Sequence, residues 1–278
     1  MKNKINFFEK NGYWIEKKIF SKTEMAEMFY LFYDISHSMF IKHFPKIKIK
    51  ETKNISYDSE GLKFLDTMLM TIFKKNKNLV GEIYDTVSFS SVFLRFYSNK
   101  KIEKLIKVLL KTHKNSSLYG YTNRVRIDPP KDQRRTYGWH QEVFYNLPKS
   151  IYLQTWCPII RDTTKKNGTI QIRIGSHKEK IARQTWNDIK GKATQILIDK
   201  KIVNKYPLKE LEMKVGDLMI FDGHLFHRSG FNSTIKEVRF SMVGMWNLIN
   251  NKNFRAPKPE FVFRGISPKK YFDNYFKG

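Results

Sequence analysis

The chain has 278 residues, 41% of them hydrophobic, which suits one enlarged β-domain with a sizeable core. A single cysteine, Cys157, excludes an intramolecular disulfide framework, and its Trp156-Cys157-Pro158 setting reads as a buried, inert thiol. The formal charge of +26 comes from 40 lysines and only 12 arginines, scattered along the chain, which disfavours a nucleic-acid groove and reads as compositional bias.

No window approaches about 18 consecutive apolar residues, so no spanning helix is expected. The run from Met1 to Trp14 is interrupted by Glu9 and is too short for a secretory signal. Cytoplasm is the expected location.

Residues 7–20 read as a lead-in, a turn at Gly12 and a strand. Ser21-Lys22-Thr23-Glu24 has the spacing of a capping box, and Met25, Met28, Phe29 and Phe32 follow at helical spacing as core positions. Residues 41–58, lysine-rich with Pro45 inside, read as a surface loop. Leu62, Leu65, Met68, Leu69, Ile72 and Phe73 mark a second helix. Ile102, Leu105, Ile106, Leu109 and Leu110 mark another, after a break at Ser98-Asn99. Residues 1–115 are thus mainly helical by periodicity.

The pattern then changes. Leu118–Ile127, Ile151–Trp156, Thr169–Ile174, Thr194–Asp199, Asp217–Phe221 and Val238–Trp246 are short, rich in β-branched and aromatic residues, and bounded by turn signals such as Pro129-Pro130 and Asn167-Gly168. Such strands predict a sandwich or barrel. With no long linker at the change-over, one domain over 1–278 is expected: a helical portion at 1–115, a β-core at 116–246, and a wrap or tail at 247–278.

Within the β-region stands Tyr137-Gly138-Trp139-His140-Gln141-Glu142. In an extended strand alternate side chains share a face, so His140 and Glu142 would form two corners of a metal site. Asp222-Gly223-His224-Leu225-Phe226-His227 offers two candidates for the third corner, His224 and His227. Two histidines and one carboxylate with open positions suit non-haem Fe(II). Arg239 and Ser241 alternate on one strand and would clamp a carboxylate, because the guanidinium fork matches its two oxygens. They follow His227 by 12 and 14 residues, which places them one hairpin away. The neighbours of Arg239 are apolar, and a half-buried arginine needs an anion, which a bound dicarboxylic acid would supply. Arg126, Tyr137, Trp139 and Gln154 are expected near the metal edge, where they would meet cosubstrate or substrate.

Gly138-Trp139-His140-Gln141-Glu142, Asn167-Gly168-Thr169 leading to Gly175-Ser176-His177, Gly216-Asp217-Leu218, His227-Arg228-Ser229-Gly230 and Arg239, in this order, resemble the phytanoyl-CoA dioxygenase family of Fe(II)- and 2-oxoglutarate-dependent oxygenases. Phe8-Glu9-Lys10-Asn11-Gly12-Tyr13 also looks like that family's start, and the similarity runs over about residues 7–246. It implies an α+β chain with a double-stranded β-helix (jelly-roll, cupin-like) core flanked by N-terminal helices. It also implies iron held by His140, Glu142 and His227, and 2-oxoglutarate held by Arg239, with Ser241 as a second holder. The implied reaction consumes O2 and 2-oxoglutarate, releases succinate and CO2, and hydroxylates an unactivated C–H. The family's usual pair is His-x-Asp, so Glu142 is one methylene longer, and a carboxylate here argues against a halogenase.

His177 lies outside the implied triad, and His37, His43 and His113 fall in helical or surface stretches, so all four are expected to be non-ligating. A cupin-type isomerase needs no Arg239–Ser241 clamp, and in a non-enzymatic binding protein the three ligands would be free to drift. A nucleic-acid demethylase of the superfamily carries a second arginine six residues after the first, where this chain has Met245. The expected substrate is a small molecule or a carrier-bound group, with the lysine excess favouring an anionic one. Specificity is expected from the helical N-terminal third and the loops at 41–58, 128–137 and 178–193.

Overall fold

A computed structural model describes residues 2–49, 55–134, 136–144, 150–188 and 195–255. The expectations for 50–54 and 189–193 in the loops, and for 256–278 in the tail, therefore lie outside the described residues.

The first part is helical, as the periodicity predicts. α1 (Lys2–Asn11) ends at Gly12, whose φ of +84° permits the turn into β1 (Tyr13–Glu16). α2 (Lys22–His43) opens on the capping box: the Ser21 hydroxyl accepts from the Glu24 N–H, and the Glu24 carboxylate accepts from the Ser21 N–H. α2 runs to His43, so the loop expected at 41–58 starts later, just ahead of Pro45. α3 (Ser59–Lys75) is capped by Asp58, and α4 (Lys77–Ser88), α5 (Ser91–Tyr97) and α6 (Lys100–Leu109) follow. Leu79, Val80, Ile83 and Val87 give α4 a buried stripe at helical spacing, which the sequence reading passed over.

The second part holds β2 (Leu118–Asp128), β3 (Tyr152–Pro158), β4 (Ile170–Arg173), β5 (Gln184–Asn187), β6 (Gln195–Ile198), a single helical turn α7 (Lys200–Val203), β7 (Leu208–Glu210), β8 (Leu218–Asp222), β9 (His227–Ser229) and β10 (Arg239–Leu248). All pairings are antiparallel. A five-stranded sheet has the order β1-β8-β3-β10-β2, a three-stranded sheet has β7-β4-β9, and β5 pairs with β6. This is the double-stranded β-helix expected from the resemblance, with helices packed on its outside.

Strand alternation divides the apolar residues between two cores. Val125, Ile127, Leu153, Cys157, Leu218, Ile220, Phe240 and Met242 face the helices and pack with residues such as Phe32, Leu69 and Ile83. Phe32 and Phe240 lie 5.0 Å apart between ring centroids, which locks α2 onto β10. Trp156, Met219 and Phe221 point the other way and pack on Ile170 and Ile172 of the small sheet. β3 is buried at every position because it is covered on both faces. Cys157 is fully buried there, and burial pushes its thiol pKa up, in line with an inert role.

Candidate metal centre

The site lies between the two sheets, at one end. His227 opens β9, and its backbone forms an isolated antiparallel bridge with His140. The two residues exchange N–H···O bonds of 3.1 and 3.2 Å. Glu142 does not continue that strand. It begins a 3-10 turn over Glu142–Phe144, with its N–H bonded to the Gly223 carbonyl at 3.2 Å. The expectation that His140 and Glu142 share a face by strand alternation is therefore corrected: the strand lasts one bridge, and a turn brings the carboxylate round.

Gln141 secures this turn. It is fully buried, and its amide donates to the carbonyls of Lys180 and His224 while accepting from the Ala182 N–H and the Gln184 side chain. An interior glutamine with both ends satisfied holds the backbone on either side of it. The sequence reading assigned it no role.

His140 Nε2 lies 3.4 Å and His227 Nε2 3.6 Å from Glu142 Oε1. His140 Nδ1 donates to the Gly138 carbonyl at 2.7 Å, and His227 Nδ1 to the Leu225 carbonyl at 2.9 Å. With each Nδ1 carrying the proton, both Nε2 lone pairs point at the carboxylate. Burial, with His140 alongside, holds the His227 pKa below its ordinary value. Burial also works against the charged form of Glu142, but the adjoining His140 and His227 outweigh it and lower the carboxyl to about 2. Among the described residues this is the group whose ligand atoms all lie within 4.8 Å of one another. Neutral imidazoles and an ionised carboxylate are the protonation states a metal needs, and an N2O donor set suits Fe(II).

His224, the rival third corner, turns away: its Nδ1 bonds Asp222 Oδ1 at 2.9 Å. His177 lies against α1, with Nε2 on the Glu9 carbonyl. Neither they nor His37, His43 and His113 belong to the cluster.

The triad opens into a cavity of about 220 Å³, also lined by Tyr84, Arg126, Tyr137, Gln154, Trp156 and Arg239. Arg126, Tyr137 and Gln154 thus stand where they were expected. Trp139 does not line it. Arg173 and Arg228 lie over its ring, at 4.8 and 4.7 Å from the centroid. Ser229, two residues after His227 on β9 and so on the same face, does line the cavity and was not singled out in the sequence.

Arg239 and Ser241 share the inner face of β10, but their placement one hairpin from His227 is corrected. β9 belongs to the small sheet and β10 to the large one, so the chain crosses between sheets. Arg239 is only 4% exposed and already has an internal anion: its Nε and Nη2 donate to Asp128 Oδ2 at 3.2 and 2.8 Å. Nη1 donates to the Gly230 carbonyl at 3.1 Å. A bound dicarboxylic acid is therefore not needed to explain its burial. Asp128 also pairs with Arg126. Burial opposes its charge, but the two arginines win and hold its pKa well below the usual range. The three contacts leave two of Arg239's five N–H groups unassigned. Ser241 is fully buried with a hydroxyl that has no partner among the described residues. Two spare donors and an orphaned hydroxyl on one strand face fit a second carboxylate.

No described helix is long and apolar enough to cross a membrane. The profile of the family described as Phytanoyl-CoA dioxygenase (PhyH) matches residues 8–241. Comparison with curated protein sequences gives no match. Among solved structures, EctD from S. alaskensis with 2-oxoglutarate and 5-hydroxyectoine is similar at a TM-score of 0.61 and 18% identity, over 97% of this chain and 86% of that one. SnoN, a non-heme alpha ketoglutarate dependent epimerase from nogalamycin biosynthesis, gives 0.54 and 15%, over 88% and 81%. EvdO2 from Micromonospora carbonacea var. aurantiaca complexed with 2-oxoglutarate gives 0.54 and 14%, over 93% and 95%. At these identities the likeness is one of fold.

Proposed function

Because the chain belongs to the phytanoyl-CoA dioxygenase family, we propose that it is an Fe(II)- and 2-oxoglutarate-dependent dioxygenase that hydroxylates an unactivated C–H of a small-molecule or carrier-bound substrate. The observation that carries this reading is the convergence of His140 Nε2, His227 Nε2 and Glu142 Oε1 on one point of a cavity that Arg239 also lines. The core shared by helices and large sheet supports treating the chain as one catalytic domain.

In this reading His140, Glu142 and His227 would hold Fe(II), a donor set that suits it. Arg239 and Ser241 hold the far carboxylate of 2-oxoglutarate. The bound iron, 2-oxoglutarate and O2 supply the oxidising chemistry, with succinate and CO2 as by-products. The chain's own part is geometry. Gly138 and Leu225 carbonyls fix the two imidazole rings, and Gln141 fixes the turn that carries Glu142. Asp128 keeps Arg239 extended along the sheet. Trp156, Ile170 and Phe221 give the cavity an apolar wall that keeps water from the metal edge.

The test is anaerobic addition of Fe(II) and 2-oxoglutarate to the apoprotein. A metal-to-ligand charge-transfer band is expected, lost in His227→Ala and weakened in Arg239→Ala. A well-folded wild type that shows no band would overturn the reading. Oxygen-18 incorporation from O2 into product then separates hydroxylation from other outcomes at the same carbon.

A further inference from the structure

The cavity-facing side of β2 carries Arg124, Arg126 and Asp128, in register with Val243, Ser241 and Arg239 of β10. Exposure falls along this double row. Arg124 is exposed, the Arg126 side chain is 16% exposed and that of Arg239 5%. The row therefore runs from the cavity mouth to its floor.

The arginines lining the cavity differ in what they hold. Arg126 and Arg239 share Asp128. Arg228 donates to Gln171 and lies over Trp139. Arg124 lines the cavity with no hydrogen-bond or ion-pair partner among the described residues. Arg126 and Arg239 thus have Asp128, and Arg228 has Glu210 nearby, while Arg124 at the mouth has no carboxylate partner among the described residues.

We propose that Arg124 is a specificity-determining residue that receives an oxyanion of the substrate, so that the substrate is an acid carrying a carboxylate or phosphate. The inference rests on the reading of this cavity as the active site. A guanidinium fork binds either oxyanion through two parallel N–H donors. Arg126, one step deeper and already paired with Asp128, and the ring of Tyr137 beneath it add a polar wall without competing for the anion. Asp128, the partner of Arg239, lies four positions along β2 from Arg124, a span of about 13 Å. The substrate's anion and the far carboxylate of 2-oxoglutarate would therefore lie at opposite ends of the row, with Asp128 at the deep end.

The experiment uses protein loaded with Mn(II) and saturated with 2-oxoglutarate. Paramagnetic relaxation is read on phosphorus-31 of methyl phosphate and on carboxyl carbon-13 of propionate, each titrated in turn. Saturable enhancement of at least one probe is expected in wild type, and which probe responds separates phosphate from carboxylate. In Arg124→Ala its affinity should fall about tenfold, as for loss of a charged hydrogen bond, with partial recovery in Arg124→Lys and 2-oxoglutarate affinity unchanged. Equal affinity in Arg124→Ala, or no enhancement of either probe in wild type with Mn(II) bound, overturns the proposal. Failure of Mn(II) to bind at all, read from the free-ion resonance, would instead strike the active-site reading.

Discussion

His140 and His227 face each other across one antiparallel bridge, with N–H···O bonds of 3.1 and 3.2 Å in both directions and ring centroids 4.3 Å apart. Residues 87 positions apart in the chain (227 − 140) are thus set by a pair of backbone hydrogen bonds. The third corner is set differently, by a turn held through Gln141 and the Gly223 carbonyl.

That difference makes the length of the Glu142 side chain decisive. Its Cα is fixed by the turn, so Glu142→Asp withdraws the carboxylate by about one bond, ~1.5 Å, where metal–ligand distances tolerate only about 0.2 Å. Fe(II) affinity should fall on the order of tenfold or more, measured by anaerobic titration. Unchanged affinity would mean that the backbone here adapts freely.

Asp128 is the anion for two buried arginines, so Asp128→Asn should destabilise the fold by about 3 kcal/mol, read by urea unfolding at neutral pH. The sign with pH follows from its depressed folded-state pKa. Its contribution is fully present above the ordinary aspartate value of 3.8 and is lost as pH falls below it towards the folded-state value. Wild type should therefore lose stability through that acid window more steeply than the Asn variant, and parallel curves would contradict the assignment.

Gly168 has a φ of +86°, and a Cβ there would come within 2.6 Å of the Gly230 carbonyl oxygen and 2.8 Å of Arg239 Nη1. Gly168→Ala should cost about 1 kcal/mol or more in stability and displace Arg239. The second effect is checked by a raised dissociation constant for 2-oxoglutarate with Fe(II) affinity retained.

Ser21→Ala removes one half of the α2 capping box, and Ser21 does not line the cavity. It should lower stability by about 1 kcal/mol, seen as a drop in Tm, and leave the charge-transfer band intact. A changed band would imply that α2 couples to the site.

The capping box, the Met25–Phe32 stripe and the strands around 118–127 and 238–246 were legible because each is a local pattern: a cap spacing, a 3.6 period or a β-rich run. β7 and β9 escaped because three residues are too few to show a period. The residues of the His140–Glu142–His227 cluster were legible as residue types in order, and the geometry that joins them was not. His140-Gln141-Glu142 reads as a strand, but Gln141 is drawn to the carbonyls of Lys180 and His224, contacts made in space that no local spacing announces.

By itself the sequence determined the helix-then-strand order, the histidines and carboxylate available to a metal, and the arginine on an apolar strand, since all of these follow from composition and short-range period. Only the tertiary structure decided that His227 and not His224 completes the triad, that Trp139 packs against Arg173 and Arg228 without lining the cavity, and that Asp128 neutralises Arg239. Those outcomes depend on which strands become neighbours, and strand pairing across two sheets is fixed by long-range burial and hydrogen bonding, which a one-dimensional pattern does not carry.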